Sequence, residues 1–84
     1  MTALRKQGEA MLKRLTRAHM DAWPKMYPDF RRTKLSLTMA VNKQAGCKSA
    51  KEATKEELEK RIEEVKKALS DSYLIEALRE ARNG

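Results

Sequence analysis

The 84-residue chain has room for one small domain, whose own core supplies only a few kcal/mol of net stability, so self-association is expected. With 37% charged residues and a mean hydropathy of -0.79 it holds no run near the roughly 18 apolar residues of a membrane span, and its abundance of Lys, Glu, Ala, Leu and Arg favours helix over sheet. One cysteine excludes an internal disulfide framework and one histidine leaves little for a metal site or a catalytic triad, so the composition argues against an enzyme and against a bound cofactor or metal.

The net charge of +7 is unevenly distributed. Residues 1–53 carry 12 basic and 4 acidic side chains, whereas residues 54–84 carry 7 basic and 8 acidic ones. Such a local excess either attracts phosphate or an acidic protein surface and speeds encounter with it, or serves as a solvated, solubilising face. At the N-terminus Arg5, Lys6, Glu9, Lys13 and Arg14 interrupt Leu4, Met11, Leu12 and Leu15, so no secretory apolar region forms. Glu9 and Asp21 speak against a mitochondrial presequence, and the expected protein is soluble and cytoplasmic.

The spacing predicts a first helix over 2–22, capped by Thr2, with Leu4, Gly8, Met11, Leu12, Leu15, Ala18 and Ala22 on one stripe. Gly8 costs about 1 kcal/mol relative to Ala inside a helix, which suggests close approach of a second helix or simply a weak first turn. Trp23 precedes Pro24 and is pushed out of the helical region, ending the helix near Ala22. The joint 23–28 holds both prolines and two of the four aromatics. A second helix over 29–45 follows, with Pro28 at the first helical position and Asp29 beside it. Phe30, Lys34, Leu37, Val41 and Ala45 mark its inner face with Leu35 and Met39 alongside, and Gly46 supplies a left-handed cap before Cys47.

Thr54 and Glu57 form a capping box, with Ala53 and Leu58 placed as its staple, and start a third helix over 54–69. Its apolar positions are Leu58, Ile62, Val65 and Leu69, and Glu56 with Lys60, Glu57 with Arg61, and Glu63 with Lys67 are spaced for ion pairing on its surface. Ser70, Asp71 and Ser72 break it and cap a fourth helix over 72–82, where Leu74, Ile75, Leu78 and Ala81 pack before Asn83 and Gly84. The expected fold is therefore all-α, a small bundle of three to four helices completed by self-association.

His19 lacks a second positioned catalytic group and is read as stacked, with Trp23 one turn on, or simply as surface-exposed, and Cys47 as a small buried thiol. A helix-turn-helix does not fit, because the connection 46–54 is too long and the helix after it carries Glu56, Glu57, Glu59, Glu63 and Glu64. If nucleic acid is bound, phosphate contacts fall to Arg5, Lys6, Lys13, Arg14, Arg17, Arg31, Arg32 and Lys34. A third option lays the amphipathic segment 2–22 on a membrane surface or an acidic target.

The segment from Leu35 to Ile62 resembles the helical C-terminal modules of phage antirepressors and related phage regulatory proteins. Asn42, Lys43, Gly46, Lys48, Ser49, Leu58 and Ile62 carry the resemblance: a helix ends in an asparagine-lysine stretch and a glycine, a loop with Lys-Ser follows, and an amphipathic helix starts after it. Ala45 and Cys47 flank the glycine where those modules often carry an aromatic and an aliphatic residue. What the resemblance implies is a phage or prophage regulator that inactivates a transcriptional repressor by binding it. The partner-binding surface is then expected at Tyr73, Leu74, Leu78, Trp23, Met26 and Tyr27, the partner being a phage repressor, with no membrane contact. The alternative is a basic nucleic-acid-binding protein that uses residues 1–53.

Overall fold

The computed structural model describes residues 2–83 as four α-helices and, among these residues, no strand. The helices are α1 (Thr2–Ala22), α2 (Phe30–Ala45), α3 (Lys55–Leu69) and α4 (Ser72–Asn83). α1 packs against all three of the others and α2 also packs against α3. α4 leans on α1, touches α3 only at its edge and does not reach α2. The molecule measures 42 × 22 × 20 Å. Its core is built from Leu12 and Leu15 of α1, Val41 of α2, Val65 of α3 and Leu74 of α4.

Each boundary has a local cause. Trp23 N–H still donates to the His19 carbonyl at 2.9 Å, and the chain then turns through Met26 and Tyr27, both donating to the Trp23 carbonyl. The sequence placed Pro28 inside α2, but the helix starts later: Asp29 is its N-cap, in extended backbone, and its carboxylate accepts from the Arg32 amide at 3.0 Å. A carboxylate at this end also meets the positive pole of the helix dipole. Gly46 ends α2 at φ 76°, where a Cβ is strained, and the Cys47 amide donates back to the Asn42 carbonyl at 3.0 Å while the Gly46 amide donates to Lys43.

The capping box of α3 forms in both directions: the Glu57 amide donates to Thr54 Oγ1 at 3.2 Å and the Thr54 amide to Glu57 Oε1 at 2.9 Å. Ala53 and Leu58 on either side of it are buried. Ser70 ends α3, and Asp71 starts α4 by accepting from the Tyr73 amide at 2.8 Å. Thr2, expected as a cap, is instead the first described residue of α1, and Gly84, expected beyond the end of α4, lies outside the described residues.

Two expectations on helix faces change. None of the three ion pairs predicted along α3 forms among the described residues: Glu57 is spent on its cap while Arg61 turns inward, Lys67 pairs with Glu64 at 3.4 Å and not with Glu63, and Glu56 and Lys60 form no pair. On α2, Leu35 and Met39 do not pack alongside the inner face, where Thr33 and Asn42 are buried with Val41 and Ala45. Leu35 is 61% exposed and Met39 64%.

Candidate interaction surfaces

At the C-terminal end of α1 three rings meet edge to face. The His19 and Trp23 centroids lie 5.4 Å apart, His19 and Tyr27 5.5 Å, and Trp23 and Tyr27 6.2 Å. The His19 Nδ1 faces the Leu15 carbonyl at 3.0 Å, so the ring is fixed to its own helix. Trp23 also packs against the core cluster. Trp23 and Tyr27 thus set the course of the joint between α1 and α2, while Pro24, Lys25 and Met26 between them are exposed, Met26 at 71%.

On α4 the expected partner-binding residues separate. Leu74 is 2% exposed and belongs to the core, which removes it from any docking surface. The cause is register: Leu74 is the one position of α4 aimed squarely at α1, and Leu78, one turn on, is half-buried against the same cluster. Tyr73 is 78% exposed and Ile75, beside Leu74 on the other flank, is 43% exposed.

Of the basic residues, Arg5, Lys6, Lys13, Arg14 and Arg17 on α1 and Arg31 and Arg32 on α2 are exposed. Lys34 is different, because its ammonium group pairs with the Glu9 carboxylate across the α1–α2 contact, so its charge ties two helices together and is not free for phosphate. At 100° per residue, Lys6, Lys13, Arg14 and Arg17 fall within an arc of about 100° on the side of α1 opposite Gly8, Leu12 and Leu15. None of the four lies within ion-pairing distance of a carboxylate among the described residues.

A buried polar group lies between α1, α2 and α3. Arg61 is only 2% exposed, and its Nε donates to Asn42 Oδ1 at 2.7 Å. The Cys47 thiol donates weakly to the same oxygen at 3.7 Å. Gly8 of α1 stands opposite, where a Cβ would meet Arg61 Nη1 at 3.6 Å. Desolvation pushes the Cys47 thiol above its ordinary pKa, with Glu57 adding to the shift and the nearby Arg61 charge opposing it. Cys47 is half-buried and not the buried thiol expected, and a thiol held protonated is a poor nucleophile.

Sequence reasoning misses Arg61 because its spacing from Glu57 predicts a surface ion pair. Its position three residues after Leu58 and four before Val65 puts it on the apolar face of α3, and that was the available signal. Leu35 and Met39 were missed as surface residues because α2 has more apolar positions than one stripe accommodates. No family model, curated protein or solved structure matches this chain.

Proposed function

We propose that the protein works by binding another protein, as a small regulator of the antirepressor kind that disables a transcriptional repressor by direct contact. The observation that carries this reading is the set of large apolar side chains left in water once the four helices have closed: Met26, Leu35, Met39, Tyr73 and Ile75. Single exposed apolar residues are ordinary on a protein surface, but Leu35 and Met39 stand one turn apart on one helix and so share a face. The resemblance of residues 35–62 to antirepressor modules supports the regulatory part of the proposal. A net charge of +7 is the wrong sign for imitating DNA, so such a regulator grips its target and moves or separates its domains. Self-association belongs to the same proposal, with α4 offering Tyr73 and Ile75 on two flanks that its own fold leaves uncovered.

The test is a titration of the protein into a labelled operator duplex bound by the repressor encoded in an adjacent reading frame. Release of the duplex near one equivalent, with little dependence on salt, is the expected result. Unchanged repressor occupancy together with direct binding to unrelated duplex overturns it.

A second reading is favoured by the α1 face. Lys6, Lys13, Arg14 and Arg17 would contact phosphates without reading sequence, giving a plot of log affinity against log salt with a slope of about −3 to −4 on duplex. The same titration separates the two.

A further inference from the structure

Along the outer side of α2, Arg31, Leu35, Met39 and Lys43 follow one another at intervals of four residues and form a single ridge. The ridge runs about 18 Å from Arg31 to Lys43, with its two apolar members in the middle and a cation at each end. All four side chains are exposed, and Arg32 adds a third exposed cation on the flank. No acidic residue occurs anywhere in α2, and Asp29 just before it is occupied as the cap. The inner side of the helix is fully used against α1 and α3 through Thr33, Val41, Asn42 and Ala45. The ridge is therefore a surplus that the fold of this chain neither buries nor neutralises.

We infer that this ridge is a docking site for an acidic amphipathic helix of a partner protein, the apolar side chains of the partner seating between Leu35 and Met39 while carboxylates near its two ends meet Arg31 with Arg32, and Lys43. The inference rests on the protein-binding reading above and gives it a location and a partner chemistry. Charge complementarity selects this occupant. Ridges spaced by four residues interdigitate with the grooves of a second helix, so a helix is the shape that fits. The end cations then favour carboxylates and a fixed alignment of the partner, and they repel basic helices. Duplex nucleic acid would place two unhydrated apolar groups against phosphates. A bilayer would need a wide apolar face, whereas this one is a single side chain across and bordered by Ser36. A second copy is a poorer match too: the exposed side of α3 carries no large apolar residue and its acids are interspersed with Lys60, Lys66 and Lys67, and α4, which does expose Tyr73 and Ile75, balances Glu76 and Glu80 with Arg79 and Arg82.

The probe is a four-turn fluorescent alanine-based peptide with two leucines one turn apart at its centre and paired glutamates at each end. Its controls are the same peptide with lysines replacing the glutamates, phosphatidylserine vesicles, and a random-sequence duplex. The full-length protein is expected to bind the glutamate peptide and to bind it at least tenfold more weakly as the Leu35→Asp/Met39→Asp double variant, because docking would bury unpaired carboxylates. Both residues are exposed, so the variant stays folded with at most a modest drop in melting temperature from the poorer helix propensity of Asp, which circular dichroism checks directly. Arg31→Ala/Lys43→Ala is expected to weaken binding several-fold at low salt, with the difference shrinking at 1 M salt. Equal binding of the glutamate and lysine peptides, binding indifferent to the Leu35/Met39 variant, or vesicle or duplex binding that requires Leu35 and Met39 overturns the inference. A protein that binds the peptide through this ridge and yet leaves repressor on its operator refutes the antirepressor reading while the docking site stands.

Discussion

Helices α3 and α4 are joined by Ser70 and Asp71, and each opens on a side-chain cap, but α3 buries Leu58, Arg61, Ile62 and Val65 while α4 buries Leu74 alone. Both sequences are amphipathic, so the difference does not lie in their patterns. It lies in their neighbours: α3 sits against α1 and α2 together, whereas α4 has α1 on one side and only the margin of α3 beside it. An apolar stripe states which face of a helix is to be covered, and the tertiary arrangement states how much of it is covered from within the chain. Where cover from within runs out, as at Tyr73 and Ile75, the surface is left for something else.

The largest expected effects follow from that contrast. Leu58 is 1% exposed, so Leu58→Ala should cost about 2–5 kcal/mol, which for a domain of this size unfolds much of the population at room temperature. Ile75→Ala on α4 should change the unfolding free energy by less than about 0.5 kcal/mol. Native-state hydrogen exchange sharpens the same point: amides of α4 should exchange through local opening well before those of α3. Equal protection of the two helices, measured residue by residue, would show that α4 is tied to the rest by more than Leu74 and Leu78.

Arg61 tests why α3 is held so closely. Arg61→Ala removes a buried side chain and leaves Asn42 Oδ1 with only the weak Cys47 thiol, for an expected loss of about 3 kcal/mol. Arg61→Met refills most of the volume with apolar atoms and should cost about 1–2 kcal/mol, since a buried charge carries a desolvation penalty that a thioether does not. Chemical denaturation of the two variants measures both. If Met proves as costly as Ala, the hydrogen bond to Asn42 outweighs the volume, and the polar group fixes the packing of α2 on α3.

The four helices were legible because their ends are written in short-range chemistry. Thr54 with Glu57, Gly46, and Ser70 to Ser72 each satisfy backbone groups within a few residues, and no distant contact is needed to read them. Asp29 shows the limit of such reading, since the Pro-Asp pair gave the right start but exchanged the cap for the first turn. The surfaces were less legible. Leu74 and Tyr73 are adjacent apolar residues, and only the direction of approach of α1 decides that one is core and the other surface. Lys34 reads as a free cation until α1 brings Glu9 to it. The ridge on α2 was hidden for the same reason, because Leu35 and Met39 read as flanking the inner face marked by Leu37 until the packing of α2 leaves them outside it.

A smaller effect separates the cap of α3 from its exposed side. Thr54→Ala should cost about 1 kcal/mol, because it orphans the Glu57 amide and leaves Glu57 capping alone. Glu59→Ala, on the exposed side of the same helix, should cost little. Thermal unfolding resolves a difference of this size, and equal melting temperatures for the two variants would mean that the capping box contributes nothing to the start of α3.

The smallest effect has the less obvious sign. Gly8 is buried where α1 approaches α3, a position at which glycine is usually explained by lack of room. Room is present: a Cβ there would sit 3.6 Å from Arg61 Nη1 and 3.9 Å from Ile62 Cγ1, both ordinary van der Waals distances. Glycine in mid-helix also leaves the unfolded chain more freedom to lose, so alanine should gain about 0.5–1 kcal/mol, or roughly 2–8 °C in melting temperature. Opposing this, the added methyl group covers part of a guanidinium whose one strong side-chain partner is Asn42, and covering it costs hydration. The two contributions separate in a double-variant cycle. If Gly8→Ala stabilises the protein more strongly in the Arg61→Met background than in the parent, desolvation of Arg61 is the opposing force. If Gly8→Ala destabilises both, α1 and α3 pack more tightly than these distances allow, and Gly8 is kept for contact.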